Sequence, residues 1–166
     1  LDDLIHWADI IDGAQFPDAT TAVGLKEPAM RLMLVIEASH SSALIHRIIR
    51  ELQRQSLAQV MEDPEIGATF EKLYAHHSES IEIMRAATHC GEGVIQFDVS
   101  AHDLDGYNKF IPYYLFPEST YTVSVSTSTF RTKVSVGSNP WVKEPLKFNL
   151  ATICERASFT PLWRPP

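Results

Sequence analysis

The sequence predicts an α/β protein in an α+β arrangement, with a helical N-terminal half followed by a small mixed β-sheet domain with flanking helices. Through the first half, apolar residues recur every three or four positions, which is the period of amphipathic helices. After Cys90-Gly91, which we expect to end the last of these helices, the apolar period changes to two, as in half-buried strands. We therefore divide the chain into a helical unit over residues 1–90, a sheet domain over residues 91–156 and an irregular tail over residues 157–166.

The helices are predicted from apolar stripes and from residues that favour helix starts. Pro28 suits the first turn of a helix, where its missing N–H costs nothing, and Ser41 or Ser42 suits an N-cap. Asp63 and the proline after it begin a long helix. Residues 16–26 are predicted as a polar connection. The predicted apolar stripes lie within residues 4–11, 29–36, 44–52 and 66–84.

The sheet domain is predicted from strict alternation of apolar and polar residues. Strands are expected around residues 95–99, 121–125 and 130–136. Between the first two, residues 107–116 predict a short helix broken by Pro112. Residues 146–156 predict a final short helix.

Composition and charge exclude several classes of protein. Hydrophobic residues make up 45% of the chain, which favours a globular fold over disorder. Residues 1–90 hold 7 Lys and Arg against 14 Asp and Glu, whereas residues 91–166 hold 7 against 7. The net charge of −7 therefore lies in the helical half, which argues against a broad footprint for duplex DNA and suits solubility or a divalent cation better.

Cysteine content and motif content narrow the class further. Two cysteines predict no disulfide framework and a reducing, cytoplasmic setting. We expect no membrane partner, because no run of eighteen apolar residues is present. The sequence contains no Gly-x-Ser-x-Gly motif, no phosphate-binding Walker loop, no Cys-x-x-Cys motif and no dinucleotide fingerprint.

An anion site is predicted on the third strand. Arg131 and Lys133 are two residues apart and so share one face of that strand. If the preceding strand pairs with it as a hairpin, Ser124 and Ser126 lie on the same face. Arginine, lysine and hydroxyl groups are suited to phosphate oxygens. The alternative is an ordinary solvent-facing strand edge with solubilising charges.

A metal ligand is predicted at Asp12, which stands at a helix end before Gly13 and offers the carboxylate that hard divalent cations bind. The same residues also suit an ordinary turn.

His77 falls on the apolar stripe of the long helix, so we expect a packed histidine there. Residues 102–106 have metal-ligand residue types but are predicted to be a polar loop.

Several segments resemble the DHH-family phosphoesterases. Residues 7–16, followed by Pro-Asp-Ala, resemble the late part of the catalytic domain of that family. In order, residues 93–98, 108–117 (Asn-Lys-Phe-Ile-Pro-Tyr-Tyr-Leu-Phe-Pro), 121–125 and 130–141 resemble its DHH-associated, substrate-binding domain. The resemblance implies that residues 1–90 are the helical remainder of a DHH domain plus a linker helix, and that residues 91–156 are an incomplete DHH-associated domain.

The resemblance also implies a function for individual residues. The family hydrolyses phosphodiesters or phosphoanhydrides with two manganese or similar divalent ions, and its substrates include short oligonucleotides, single-stranded nucleic acid, cyclic dinucleotides and polyphosphate. Asp12 resembles the last metal-binding aspartate of the family, and Arg131 resembles an arginine on its substrate-facing strand. Lys133 is our own extension from the strand period.

The sequence departs from the family at both ends. The Asp-His-His motif that names the family is absent, and so is the glycine-rich loop ending in histidine that would follow Arg156. We therefore expect a truncated, metal-dependent phosphoesterase that is inactive alone, with a phosphate-containing small molecule or short single-stranded nucleic acid as its partner. The alternatives are a non-catalytic nucleotide-binding module and a helical interaction protein that forms a homodimer through residues 44–52.

Overall fold

The structure is a computed structural model that describes residues 2–102, 104, 106–128 and 131–158, except for the side chain of Ser158. Its helices are α1 (Asp2–Asp12), α2 (Ala19–Gly24), α3 (Pro28–Ala38), α4 (Ser42–Leu52), α5 (Leu57–Met61), α6 (Pro64–Ala87), α7 (Ile111–Leu115) and α8 (Leu150–Ser158). Its strands are β1 (Thr88–Gly91), β2 (Val94–Asp98), β3 (Tyr121–Thr127) and β4 (Thr132–Ser138). No helix in these ranges is both long enough and apolar enough to cross a bilayer.

The strands form one mixed sheet in the order β1-β2-β3-β4. The β1–β2 and β3–β4 pairs are antiparallel, whereas β2 and β3 run parallel and are connected through α7. A parallel pair needs such a crossover, because the chain must return to the starting end of the sheet before the second strand can run in the same direction. The predicted fold class, helices followed by a small mixed sheet with flanking helices, is confirmed.

The helices begin where the sequence offers an N-cap. The side chain of Ser41 accepts a hydrogen bond from the Leu44 N–H, and that of Asp63 accepts from Glu65 and Ile66. Asp18 caps α2 in the same way. Each cap satisfies backbone donors that the first helical turn leaves unpaired.

The core consists of two clusters joined by α6. Ile66 and Phe70, near the start of α6, pack in the helical cluster with α3, α4 and α5. Met84, near its end, packs under the sheet with Ile95 and Phe97. The helix α6 therefore packs against both halves of the fold, and its predicted apolar stripe contributes side chains to both clusters.

Aromatic side chains fill the junction between the two clusters. The Phe110 ring packs edge-on against Phe16, with ring centroids 5.6 Å apart, and lies 5.3 Å from the Trp141 ring. Phe110 and Trp141 contact both clusters. The Trp141 indole N–H also donates to the Phe16 carbonyl at 2.8 Å, so a residue after β4 is tied to the segment after α1. Asn139 holds this turn by accepting from the Trp141 N–H.

Two more side chains reach the same stretch of backbone. The Asn108 side-chain amide donates to the Ala22 carbonyl at 2.8 Å. The Nε2 atom of His77 lies 2.8 Å from the Val23 carbonyl, to which it donates in the matching tautomer. His77 is buried, as the sequence predicted. These bonds hold the end of α2 between α6 and the segment before α7. The sequence alone had placed α2 in a polar connection.

Several predicted boundaries are corrected by the structure. The long helix ends at Ala87 rather than at Cys90-Gly91, because residues 88–91 pair with β2 as β1. Pro112 lies in the first turn of α7 and so begins that helix instead of breaking it. The last helix starts at Leu150, where the Asn149 side chain accepts from the Thr152 N–H, rather than at residue 146.

The apolar stripes are partly reassigned. In α1, Leu4 and Trp7 pack on the core while Ile5 is exposed. In α4, Leu44 and Ile48 are buried in the chain's own core, so most of the stripe offered for a homodimer faces inward.

The homodimer and the division into domains stay predictions, and residues 159–166 of the predicted tail lie outside the described residues.

The junction predicts a specific cost for Trp141→Phe. The substitution removes the indole N–H and leaves the Phe16 carbonyl without its donor, so we expect a loss of about 2–3 kcal/mol in the free energy of unfolding. The control is Trp7→Phe, which trims a ring on the helical core and should cost about 1 kcal/mol. Urea unfolding followed by circular dichroism gives both values. Equal costs for the two variants would contradict a special role for the Trp141 bond.

Candidate functional site

A groove runs along the inner face of the sheet, between β2–β4 and the segment that leads into α7. Its volume is about 690 Å³, within the range of about 300–1,000 Å³ typical of small-molecule sites. We call it the sheet groove; the residues that matter for its chemistry are Phe97, Tyr107, Lys109, Tyr113, Thr122, Ser124, Ser126, Lys133, Ser135 and Gly137.

Strand register brings Lys133 together with the predicted serine hydroxyls. Lys133 of β4 is paired with Ser126 of β3, and Ser135 with Ser124. Residues directly opposite each other share one face of a sheet, so the lysine and the three hydroxyls line the same groove wall. The predicted hairpin is therefore present, and Lys133 lies where the sequence placed it, while its role in binding stays a prediction.

The polar face of this hairpin is the inward one. Ser124 is 3% exposed and Thr122 is 9% exposed, whereas Val123 and Val134 on the other face are 37% and 68% exposed. Ordinary half-buried strands show the reverse pattern. The Tyr107 hydroxyl lies 3.3 Å from the Ser124 hydroxyl and shares a hydrogen bond with it. A row of inward hydroxyls beside a cation is unusual for a simple core, so this face is the candidate binding surface.

Two hydroxyls deeper in the groove have no hydrogen-bond partner within the described residues. They are Tyr113 Oη and Thr122 Oγ1, both fully shielded from solvent. Burial raises the pKa of Tyr113 well above its usual value, so its hydroxyl stays protonated and can donate. A buried hydroxyl without a partner costs about 1–3 kcal/mol, which marks this end of the groove as incomplete.

Gly137 gives these hydroxyls their space. It is paired with Thr122 in the β3–β4 register. A Cβ at position 137 would lie 3.0 Å from Tyr113 Oη and 3.1 Å from Thr122 Cγ2. Both contacts are tighter than side chains normally allow, so only glycine fits without moving its neighbours.

Arg131, the other predicted substrate ligand, lies just before β4 and is exposed. Its carbonyl accepts from the Ser128 N–H at 2.9 Å, which fixes the backbone at the hairpin end. The side chain does not line the groove in the described part of the chain. Lys109 does line it, and sequence analysis missed this cation because its position depends on how the segment before α7 folds back over the sheet.

Asp12, the predicted metal ligand, ends α1 and is exposed. Its neighbour Ala14 adopts a left-handed backbone, with φ of 49°, and lines the groove. Within residues 2–102, 104, 106–128 and 131–158, no three His, Cys, Asp or Glu side chains group in a way that could hold a metal ion. The described donor set therefore does not fit the two-metal centre that the resemblance implies. Asp103 and Asp105 of the polar loop lie outside these ranges.

A second cavity, of about 470 Å³, lies behind the groove among α1, α3 and α6. Its lining is mainly apolar, with Glu37, His76 and Lys109 among the polar side chains. Tyr107 and Phe110 line both spaces, so the segment before α7 is the wall that separates them.

The fold consists of a helical unit joined to a mixed sheet, and the polar inner face of the sheet borders a groove that two lysines also line. This arrangement is shared with a solved structure, the pGpG-specific phosphodiesterase PggH from Vibrio cholerae, at a TM-score of 0.76 and 14% sequence identity. The match covers 93% of this chain and 55% of that chain, so the present chain spans about half of the phosphodiesterase.

The likeness to PggH shows the fold. Because PggH is a DHH-family enzyme with the DHH-associated domain, the predicted resemblance to that family is confirmed at the level of fold. No family model and no curated protein matches the sequence.

The donor set predicts weak metal binding. A lone carboxylate at Asp12 should bind manganese no more tightly than other surface carboxylates, so millimolar MnCl₂ should shift the melting temperature by less than about 1 °C. Differential scanning calorimetry with and without EDTA measures this. A stabilisation of several degrees that EDTA reverses and Asp12→Asn abolishes would contradict the assignment.

Proposed function

We propose that this chain is the substrate-gripping part of a DHH-family phosphodiesterase, and that the sheet groove binds a phosphate-containing nucleotide. The observation that carries the proposal is the pairing of Lys133, which is exposed, with Ser126 on the strand face that lines the groove, within a fold shared with a dinucleotide phosphodiesterase.

The phosphate end of the groove is assigned to the hairpin. Lys133 supplies a point charge, and the Ser126 and Ser135 hydroxyls beside it can donate to phosphate oxygens. Arg131, close to the hairpin end, adds a second cation that can approach a ligand from solvent, in keeping with the arginine it resembles. Lys109 faces the groove from the opposite wall.

The ligand is proposed to be short. The groove volume of about 690 Å³ suits a molecule of the size of a mononucleotide or dinucleotide. The helical half beside it carries 14 acidic against 7 basic residues, which repels a long polyanion. A dinucleotide places few phosphates near that acidic surface, and it is also the kind of molecule named for PggH.

Cleavage is proposed to need more than this chain. The bound divalent ions of the family would activate a water for attack on phosphorus. Asp12 is the one residue here that resembles a ligand to them, and the described donor set does not fit such a centre. What the chain's own residues supply is binding and orientation of the nucleotide by Lys133 and the groove hydroxyls.

Binding should depend on Lys133. We expect the chain to bind pGpG, and Lys133→Ala to weaken this binding about tenfold, because a charge-assisted hydrogen bond is lost. Arg131→Ala should weaken it less, since that side chain does not line the groove in the described part of the chain. Isothermal titration calorimetry gives the dissociation constants. The matched control is Lys72→Ala on the exposed side of α6, which should leave binding unchanged.

Two outcomes of this titration would count against the proposal. One is the absence of binding up to millimolar pGpG, which is the weak end of the affinity range. The other is an equal loss in the Lys133 and Lys72 variants, which would indicate attraction by net charge instead of a site.

The purified chain should bind pGpG without cutting it. With MnCl₂ present, chromatography should detect no GMP above a protein-free control, because the metal-binding donor set is incomplete in the described residues. Sustained turnover that follows protein concentration would refute this part of the proposal.

A further inference from the structure

The two unpartnered hydroxyls lie at the end of the groove away from Lys133. Gly137, which Tyr113 and Thr122 flank, is four residues along β4 from Lys133. At about 3.3 Å per residue this places the two ends of the groove roughly 13 Å apart. The groove thus has a charged side chain, Lys133, at one end and buried neutral hydroxyls at the other.

Building on the proposed function, we propose that Tyr113, Thr122 and Gly137 form a subsite for the hydrogen-bonding edge of a nucleobase. The two buried hydroxyls supply donors and acceptors that no described residue uses, and the missing side chain of Gly137 leaves room for the side chains that carry them. Phe97 and Pro112, both buried, line the same groove and make this end of it apolar.

The neutral end suits a base rather than a phosphate. Burying an anion next to uncharged hydroxyls, roughly 13 Å along the strand from Lys133, costs much more than burying a neutral polar group that can pair with them. A base edge presents neighbouring donors and acceptors, and a hydroxyl can match either kind. Tyr113 stays a neutral donor in this setting, because burial disfavours its ionised form.

Gly137 makes the subsite sensitive to a single methyl group. The backbone of Gly137 does not require glycine, because it does not have the positive φ that favours this residue. A Cβ at this position would nevertheless crowd Tyr113 Oη. Gly137→Ala therefore closes the space without removing a hydroxyl, and Tyr113→Phe removes a hydroxyl without closing the space. The two kinds of variant test the same subsite by independent means.

The experiment compares two probes on the full chain by titration calorimetry: pGpG, and an abasic analogue with the same sugar-phosphate backbone. The wild type should prefer pGpG by at least about tenfold, as expected for two or more added hydrogen bonds. Tyr113→Phe, Thr122→Val and Gly137→Ala should each weaken pGpG binding by about fivefold and leave the abasic probe unaffected. Tyr114→Phe, which removes a half-exposed hydroxyl outside the groove, is the matched control and should change neither affinity.

The outcomes separate this inference from the proposed function. If neither probe binds the wild type, both the proposed function and the base subsite are contradicted. If both probes bind equally well, or if the hydroxyl variants weaken both alike, the groove binds backbone only and the base subsite is overturned while the function stands. If the hydroxyl variants melt at a higher temperature and bind as the wild type does, the hydroxyls are a packing defect or hold a water, which also overturns it.

Discussion

The structure depends on one short stretch of backbone, residues 16–23, whose carbonyl oxygens accept hydrogen bonds from three separate elements. The donors are the side chains of Trp141 after β4, Asn108 before α7 and His77 of α6. A buried carbonyl without a partner costs about 1–3 kcal/mol, so these bonds fix the elements relative to one another. The segment that carries Asn108 is also a wall of the sheet groove, so the geometry of the groove depends on this junction.

The parts of the fold that could be predicted are those with a strong local signal. The presence and the buried face of α6 follow from an apolar period sustained over many turns. The short helix α2 was missed because its residues are small or polar, and what holds it is the Asp18 cap and the bonds from distant side chains. Strand β1 was missed because His89 and Cys90 give no alternation, and only pairing with β2 makes them extended.

The candidate site also has parts that could be predicted from the sequence and parts that could not. Lys133 and Ser126 could be placed on one face because the side chains of a strand alternate with a period of two. That this polar face points inward could not be predicted, because the covering segment around Tyr113 is brought over the sheet by long-range contacts. The pairing of Thr122 with Gly137, and the space it leaves, likewise exists only in the folded sheet.

In the proposed function, Lys133 and the serine hydroxyls at one end of the sheet groove and the buried neutral hydroxyls near Gly137 together hold a small nucleotide in one direction. A crystal structure of the chain grown with pGpG tests this most directly. The account predicts a phosphate within hydrogen-bonding distance of Lys133 and Ser126, with the nucleotide running along β4 towards Gly137. A nucleotide seated instead in the cavity beside His76, with the sheet groove empty, would contradict it.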